Sequence, residues 1–191
     1  MKKSLHLIMV LTFVCVLAGL SLALVNSLTK GRIEAQEKGE ILSAVSKILP
    51  MFNNDPLKDT KEIDGIIFFI GKYNGCLTGV ACEAEAEGYN GSIRVMAGMD
   101  SKGEINGVEI LQNLETPGLG SRIENLQFRM QFKNRSLANS KLVKGNLAVK
   151  KDRGDIDSLS GATISSRAVT RAVSRALHLF QKNKKIILNT D

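Results

Sequence analysis

Two short segments of this 191-residue chain combine small, permissive residues with polar ones in patterns that core packing does not require. The first is Asp157-Ser158-Leu159-Ser160-Gly161-Ala162-Thr163, immediately before a run with helical spacing. Ser, Gly and Thr at a helix start can make an anion site, because unpaired N–H groups and the positive end of the dipole favour a phosphate. The same residues also fit a plain cap, with Ser160 or Thr163 contributing about 1 kcal/mol to the helix and nothing else. The second segment, Glu115-Thr116-Pro117-Gly118-Leu119-Gly120, leaves a strand and enters a helix. Pro117-Gly118 reads as a turn, Gly120 permits close backbone approach to a ligand, and the free N–H groups of the next helix point at whatever sits there. Taken alone it is a strand-to-helix connection.

Other chemistries lack their residues. The histidines are His6 and His178, the cysteines Cys15, Cys76 and Cys82, with no Cys-x-x-Cys pair, so neither a transition-metal site nor a disulfide framework is expected. No GxxxxGK[ST] or strand-borne GxGxxG occurs. Glu83, Glu85 and Glu87 alternate along a strand and read as a solvated face, not as a metal or acid/base cluster. No catalytic residue is assigned. The formal net charge of +7 falls to +5 for residues 28–191, because residues 1–27 hold Lys2, Lys3 and no acids. Without a basic-aromatic patch, that excess does not suggest nucleic acid.

The elements that must position the two segments follow from periodicity. Leu5 to Val25 contains no Asp, Glu, Lys or Arg and, at about 1.5 Å per residue, makes a helix of roughly 31 Å, enough for a bilayer core. A cleaved signal peptide is the alternative, but its apolar region is usually only about 7–15 residues long. Residues 1–27 are thus expected to be a tail and single transmembrane anchor, and 28–191 one extracytoplasmic domain. Lys30 to Leu49 reads as a helix stopped by Pro50, and Asn53 to Asp59 as a polar turn. Ile66–Ile70, Cys76–Glu87, Ser92–Met99 and Ile105–Leu111 read as strands of an antiparallel meander. In the second of them, Cys76 and Cys82 share a face about 20 Å apart, which predicts two buried thiols beyond disulfide reach. Ser121 to Phe132 predicts a helix, Lys133 to Lys141 a loop and Leu147 to Lys151 a short strand. In the last helix Ile164, Ala168, Ala172, Val173, Ala176, Leu177 and Phe180 form the buried face, opposite a solvated Arg167, Arg171, Arg175 stripe. The fold class is α+β, a central antiparallel sheet with flanking helices.

Asp157 to Thr163 resembles the Asp-x-x-Ser/Thr-Gly-Ala-Thr flavinylation motif of the FMN-binding domain family, in which the last threonine carries FMN through a phosphoester. Glu115 to Gly120 is identical to the Glu-Thr-Pro-Gly-Leu-Gly segment of members in ion-translocating electron-transport complexes, and the Gly88-Tyr89-Asn90-Gly91 turn is similar too. Within the family the chain looks most like the G subunits of Rnf complexes, relatives of the C subunit of sodium-pumping NADH:quinone reductase. Leu114 departs from the small or polar residue frequent before the glutamate. The resemblance implies covalent FMN on Thr163, with Ser160, Gly161, Ala162 and Asp157 around the attachment point and Glu115, Thr116, Pro117, Gly118, Leu119 and Gly120 closing over the flavin. Asp157 would orient the motif for the modifying enzyme or hold the loop by side chain to backbone hydrogen bonds. The resemblance also implies a flavin transferase for maturation, other membrane subunits as partners, ferredoxin- and NAD-linked electron transfer, and a domain on the periplasmic side of the cell membrane. Two other classes fit the residues: a stand-alone anchored flavin carrier, and a non-redox module that senses an anion.

Overall fold

The computed structural model describes residues 2–63 and 65–188, with side chains from His6 onward. The charges of Lys2 and Lys3 lie outside the described side chains. Two compact units are present, Met1–Glu40 and Ile41–Asp191. The described residues of the first form the opening part of helix α1 (Lys2–Ile48). Its large apolar side chains, among them Leu11, Phe13, Leu20 and Leu24, are exposed, and the helix is long and apolar enough to cross a membrane. Ser21 and Thr29 donate their hydroxyls back to Leu17 O and Val25 O, both at 2.9 Å, so these polar groups are satisfied within the helix. A lipid-facing helix requires that.

The second unit is a five-stranded antiparallel meander of β1 (Thr60–Ile63), β2 (Ile66–Tyr73), β3 (Cys76–Glu87), β4 (Ser92–Met99) and β5 (Ile105–Gln112), in sequence order. Strands β2 and β3 are joined by Asn74-Gly75, both at positive φ (52° and 81°), the backbone that a two-residue hairpin needs. At the β4–β5 turn the Asp100 carboxylate accepts the N–H groups of Lys102, Gly103 and Glu104. Strand β1 had no counterpart in the sequence pattern, because Thr-Lys-Glu-Ile buries almost nothing and is held by pairing with Phe69 to Ile66.

Both faces of the sheet are covered. On one, Phe68, Val80, Cys82, Val95 and Val108 pack with helix α3 (Thr163–Leu188), whose Ala168, Ala172 and Ala176 let it lie close against β3 and β4. On the other, Phe69, Ala81 and Met96 meet Ala44, Val45 and Ile48 at the end of α1. Gly98 and Gly107 pair across β4 and β5 directly under Ile48. A Cβ on Gly98 would stand 2.6 Å from Ile48 O, so the last turn of α1 seats only on bare backbone.

Four expectations need correction. Cys82 is buried, but Cys76 is exposed. Between Gly71/Lys72 of β2 and Leu77 to Gly79 of β3 the register shifts by a residue, so alternation inverts and Leu77, not Cys76, joins the face of Val80. The helix expected over Ser121–Phe132 is broken into a 3-10 turn, Gly120–Glu124, and a short helix α2, Leu126–Met130, by extended Asn125 (φ −60°, ψ 133°). A continuous helix would set Ile123 and Phe128 about 140° apart around its axis. The break lets both enter one core, where Phe128 stacks edge-on against Phe132 with centroids 5.7 Å apart. Leu147 to Lys151 forms no strand beyond a single bridge, Val149 to Ile156, and then turns into a 3-10 segment, Lys150–Asp152. The chain doubles back too tightly to pair further: Gly154 N–H donates to Val149 O, and a Cβ on Gly154 would lie 2.0 Å from Ala148 O. Ile164 is 45% exposed instead of buried, because the first turn of α3 opens onto a cleft and not onto the sheet.

Candidate functional site

Glu115, three residues past the end of β5, turns inward, its N–H donating to Asn113 Oδ1 at 3.0 Å and the residue only 6% exposed. Oε1 accepts the N–H groups of Tyr89 (2.7 Å) and Asn90 (3.2 Å), and Oε2 accepts the Ser165 hydroxyl at 2.5 Å. One side chain thereby ties the β3–β4 turn to the first turn of α3. Room for it is made by glycine on both sides: a Cβ on Gly88 would fall 2.3 Å from Oε1, and one on Gly120 2.4 Å from Oε2. The oxygens of Glu115 are therefore committed to protein donors. Beyond it, Leu119 N–H and Ser121 N–H return to Thr116 O, and Gly118, at φ 76°, donates to Ser121 Oγ. This closes the Thr116 to Gly120 turn.

Across from that turn stands the start of α3. Ser166 N–H donates to Ala162 O at 3.0 Å, which makes Ala162 the N-cap and Thr163 the first helical residue. Neither Ser160 nor Thr163 occupies the cap. Alanine has no side-chain oxygen with which to cap, so the N–H groups of Thr163, Ile164 and Ser165 are left without a helix carbonyl or a side-chain cap from Ala162. Gly161, at φ 78°, supplies the turn that delivers the chain to this point. The loop before it is held by Ser166 Oγ, which accepts Leu159 N–H, and by Gln131, which accepts Asp157 N–H and donates to Asp157 O. The Asp157 carboxylate does not hold the loop by side chain to backbone hydrogen bonds. It pairs with Lys150 at 2.8 Å.

The cations around the site are distributed by the 3-10 segment. Arg167 grips Asp152 through two hydrogen bonds of 2.6 and 2.5 Å, which hold the Asp152 carboxyl below its usual range and push the Arg167 guanidinium up. Arg171 donates to Glu87 O, so the expected solvated arginine stripe is partly anchored. Lys151 turns to the cleft and donates to Thr163 Oγ1 at 2.9 Å.

Glu115, Thr116, Leu119, Gly120, Gly161, Ala162 and Thr163 line one open cleft of about 680 Å3, together with Tyr89, Lys151, Ile164 and Ser165. Pro117, Gly118, Asp157 and Ser160 are outside its lining. The volume falls within the range of small-molecule and cofactor pockets. Its rim is apolar and open, with Tyr89 69% and Leu119 49% exposed. An uncapped helix start, a lysine and an apolar rim suit a ligand with one anionic end and one flat apolar end. Lys151, Tyr89, Ile164 and Ser165 escaped the sequence reading of the lining. Lys151 is 12 residues from Thr163 and nothing local marks it, whereas the Gly88 to Gly91 turn was visible as a motif and could have nominated Tyr89.

Comparison with known proteins matches the same region. A model of the FMN-binding domain covers residues 88–178, from the Gly88 turn through most of α3. The G subunit of the ion-translocating oxidoreductase complex of Vibrio atlanticus (strain LGP32) is 35% identical over 190 residues, covering 92% of this chain and 89% of that protein. Its namesake from Stutzerimonas stutzeri is 38% identical over 176 residues, covering 87% and 76%. Among solved structures, the C subunit of Na(+)-translocating NADH-quinone reductase from Parabacteroides distasonis superposes with a TM-score of 0.57 at 18% identity, over 87% of this chain and 98% of that one. NqrC of Shewanella oneidensis does so with a TM-score of 0.53 at 21% identity, over 74% and 70%. At those identities the structures speak for the fold, and the sequence relatives for kinship: the chain belongs to the FMN-binding domain family, among the G subunits of ion-translocating oxidoreductase complexes.

Proposed function

We propose that this chain carries FMN esterified to Thr163 and uses it to pass electrons as one member of a membrane-bound, ion-translocating oxidoreductase complex. Kinship with G subunits supports the electron-transfer role and the company of other complex subunits. The observation that carries the attachment is the placement of Thr163 as first residue of an uncapped helix facing a cofactor-sized cleft. There the free N–H groups of α3 favour a phosphate, by roughly 0.3–1 kcal/mol for the dipole alone. Tyr89, Leu119 and Ile164 offer apolar surface to a flat ring, and the Thr116 to Gly120 turn limits where it can lie. Glu115 keeps both walls of the cleft in register without spending a group on the ligand. Bound FMN supplies reversible one- and two-electron exchange at such a site. A sensor of a small anion would use the same helix end but has no need of the open apolar rim.

The finer features are part of the same proposal. A separate flavin transferase performs the attachment with FAD, the anchor α1 crosses the cell membrane, and the sheet domain faces the periplasmic side. Electron flow is linked to ferredoxin and NAD, with NAD bound elsewhere in the complex. The test is to co-express the full chain with a flavin transferase, denature it and search for in-gel flavin fluorescence and an FMN mass increment on the Thr163 peptide. Thr163→Val should abolish both while the protein folds. Flavin that leaves on denaturation, or that stays covalent in Thr163→Val, would refute the assignment. Colourless protein with tight phosphate binding would favour the sensor.

A further inference from the structure

Lys151 is the one residue of the cleft lining whose side chain reaches the Thr163 hydroxyl, at 2.9 Å. The contact is built, although Lys151 itself is exposed. The bridge between Val149 and Ile156, the pinch at Gly154 and the Arg167–Asp152 pair fix the 3-10 segment on which Lys151 sits. Its neighbours point their charges elsewhere, Lys150 to Asp157 and Asp152 to Arg167. A hydrogen bond between an exposed lysine and a threonine adds little to stability, so the fold itself does not require this contact.

We infer that Lys151 is the cation of the attachment site, acting on Thr163 before modification and on the phosphodiester afterwards. The inference rests on Thr163 being the point of attachment. In that transfer the Thr163 Oγ–P bond forms as the P–O–P bridge of FAD breaks, AMP leaves with the bridging oxygen, and the hydroxyl proton passes to a base of the transferase. By donating to one lone pair of Oγ1, Lys151 directs the hydroxyl hydrogen outward to that base and stabilises the negative charge that develops on the oxygen. In the product one negative charge remains on the phosphodiester, within reach of Nζ and of the free N–H groups of α3. Lys151 is thus a positioning and charge-pairing residue.

The experiment uses the full chain in detergent with purified flavin transferase and FAD. Initial rates of covalent loading are read by in-gel fluorescence and intact mass for wild type, Lys151→Met, Lys151→Arg and a charge control, Lys133→Met. A charge-assisted hydrogen bond at the weak end of its range is worth about tenfold in rate. Lys151→Met should load about tenfold more slowly, Lys151→Arg should recover most of the loss, and Lys133→Met should match wild type. A second measurement needs no substitution and stands even where Lys151→Met fails to fold: acetylation of lysines by a succinimidyl ester, quantified by peptide mass, should fall at Lys151 but not at Lys133 once wild type is loaded. Wild type loaded at Thr163 with Lys151→Met equally fast, or with Lys151 acetylation unchanged by loading, overturns the inference alone. Wild type that takes no covalent flavin, or takes it at another residue, overturns the Thr163 assignment and this inference with it.

Discussion

Removing the Glu115 carboxylate should loosen the domain through the β3–β4 turn and the start of α3 together. In Glu115→Ala three donors lose their acceptor: Tyr89 N–H, Asn90 N–H and the Ser165 hydroxyl. A hydrogen bond to a charged group is worth about 1.5–3 kcal/mol, but these three share one acceptor group and do not add. The two turn residues are exposed and can turn to water, whereas Ser165 is 2% exposed and cannot. Relief of burying a carboxylate offsets part of the loss, so the expected cost is about 2–3 kcal/mol. For a domain of this size that lowers the melting temperature by about 5–10 °C. Glu115→Gln should cost only about 1 kcal/mol, since its amide oxygen still accepts both backbone N–H groups and the Ser165 hydroxyl can reverse to accept its NH2. Gly88→Ala supplies the discriminating cycle. Its Cβ would lie 2.3 Å from Oε1, 2.8 Å from Ile93 Cδ1 and 3.0 Å from the backbone oxygen of Gly91, so the part of its cost due to Oε1 should vanish once Glu115 is alanine, and the part due to Ile93 and Gly91 should remain. Calorimetric melts of the four proteins, with hydrogen exchange on the Tyr89–Asn90 peptide, measure this. A Gly88→Ala cost that is the same in both backgrounds, to within about 0.5 kcal/mol, would refute the claim that the glycine exists to admit the carboxylate.

Two further outcomes follow from charge and burial. Hydrogen bonds and charge from Arg167 lower the Asp152 pKa, so the stabilisation is present above the ordinary carboxylate range and is lost as pH falls through the lowered folded value. Arg167→Gln should return the Asp152 titration, followed by carboxyl NMR shifts, upward toward an ordinary aspartate; an unmoved titration would break the pairing. Burial, aided by the Glu83 charge, pushes the Cys82 thiol up to about 12, whereas Cys76 is exposed. Iodoacetamide at about pH 8 should therefore alkylate Cys76 in the native protein and reach Cys82 only after unfolding, and equal labelling of the two would contradict the bulge that separates them.

What could be read from the chain alone was governed by local chemistry. Strands β2 to β5 announce themselves because each alternates or runs apolar between turn residues whose backbone preferences are strong, as at Asn74-Gly75. Helix α3 declares itself by unbroken periodicity, and the apolar run of α1 by its length without a charged residue. The two motifs were legible as motifs because their glycines, threonines and acid stand out against core composition. Where a nonlocal contact decided the outcome, the pattern misled. Ser121 to Phe132 has the spacing of a helix, yet burying Ile123 with Phe128 required a break at Asn125. Cys76 kept its place in the alternation only until β2 imposed a bulge on β3.

The division is sharpest at the cleft. Sequence by itself determined the fold class, the membrane-length helix and the threonine at a helix start, since each depends on residues within a turn or two of one another. Tertiary structure decided what those residues do. Glu115 reads as a ligand group in a motif but spends its oxygens 25, 26 and 50 residues away, on Asn90, Tyr89 and Ser165. The helix cap reads as Ser160 or Thr163 but falls on Ala162, which leaves its N–H groups open. Lys151 reads as one lysine among many until the fold of Val149 to Gly154 brings it to Thr163. Hydrogen bonds between distant residues depend on the path of the whole chain, and no local pattern records that path.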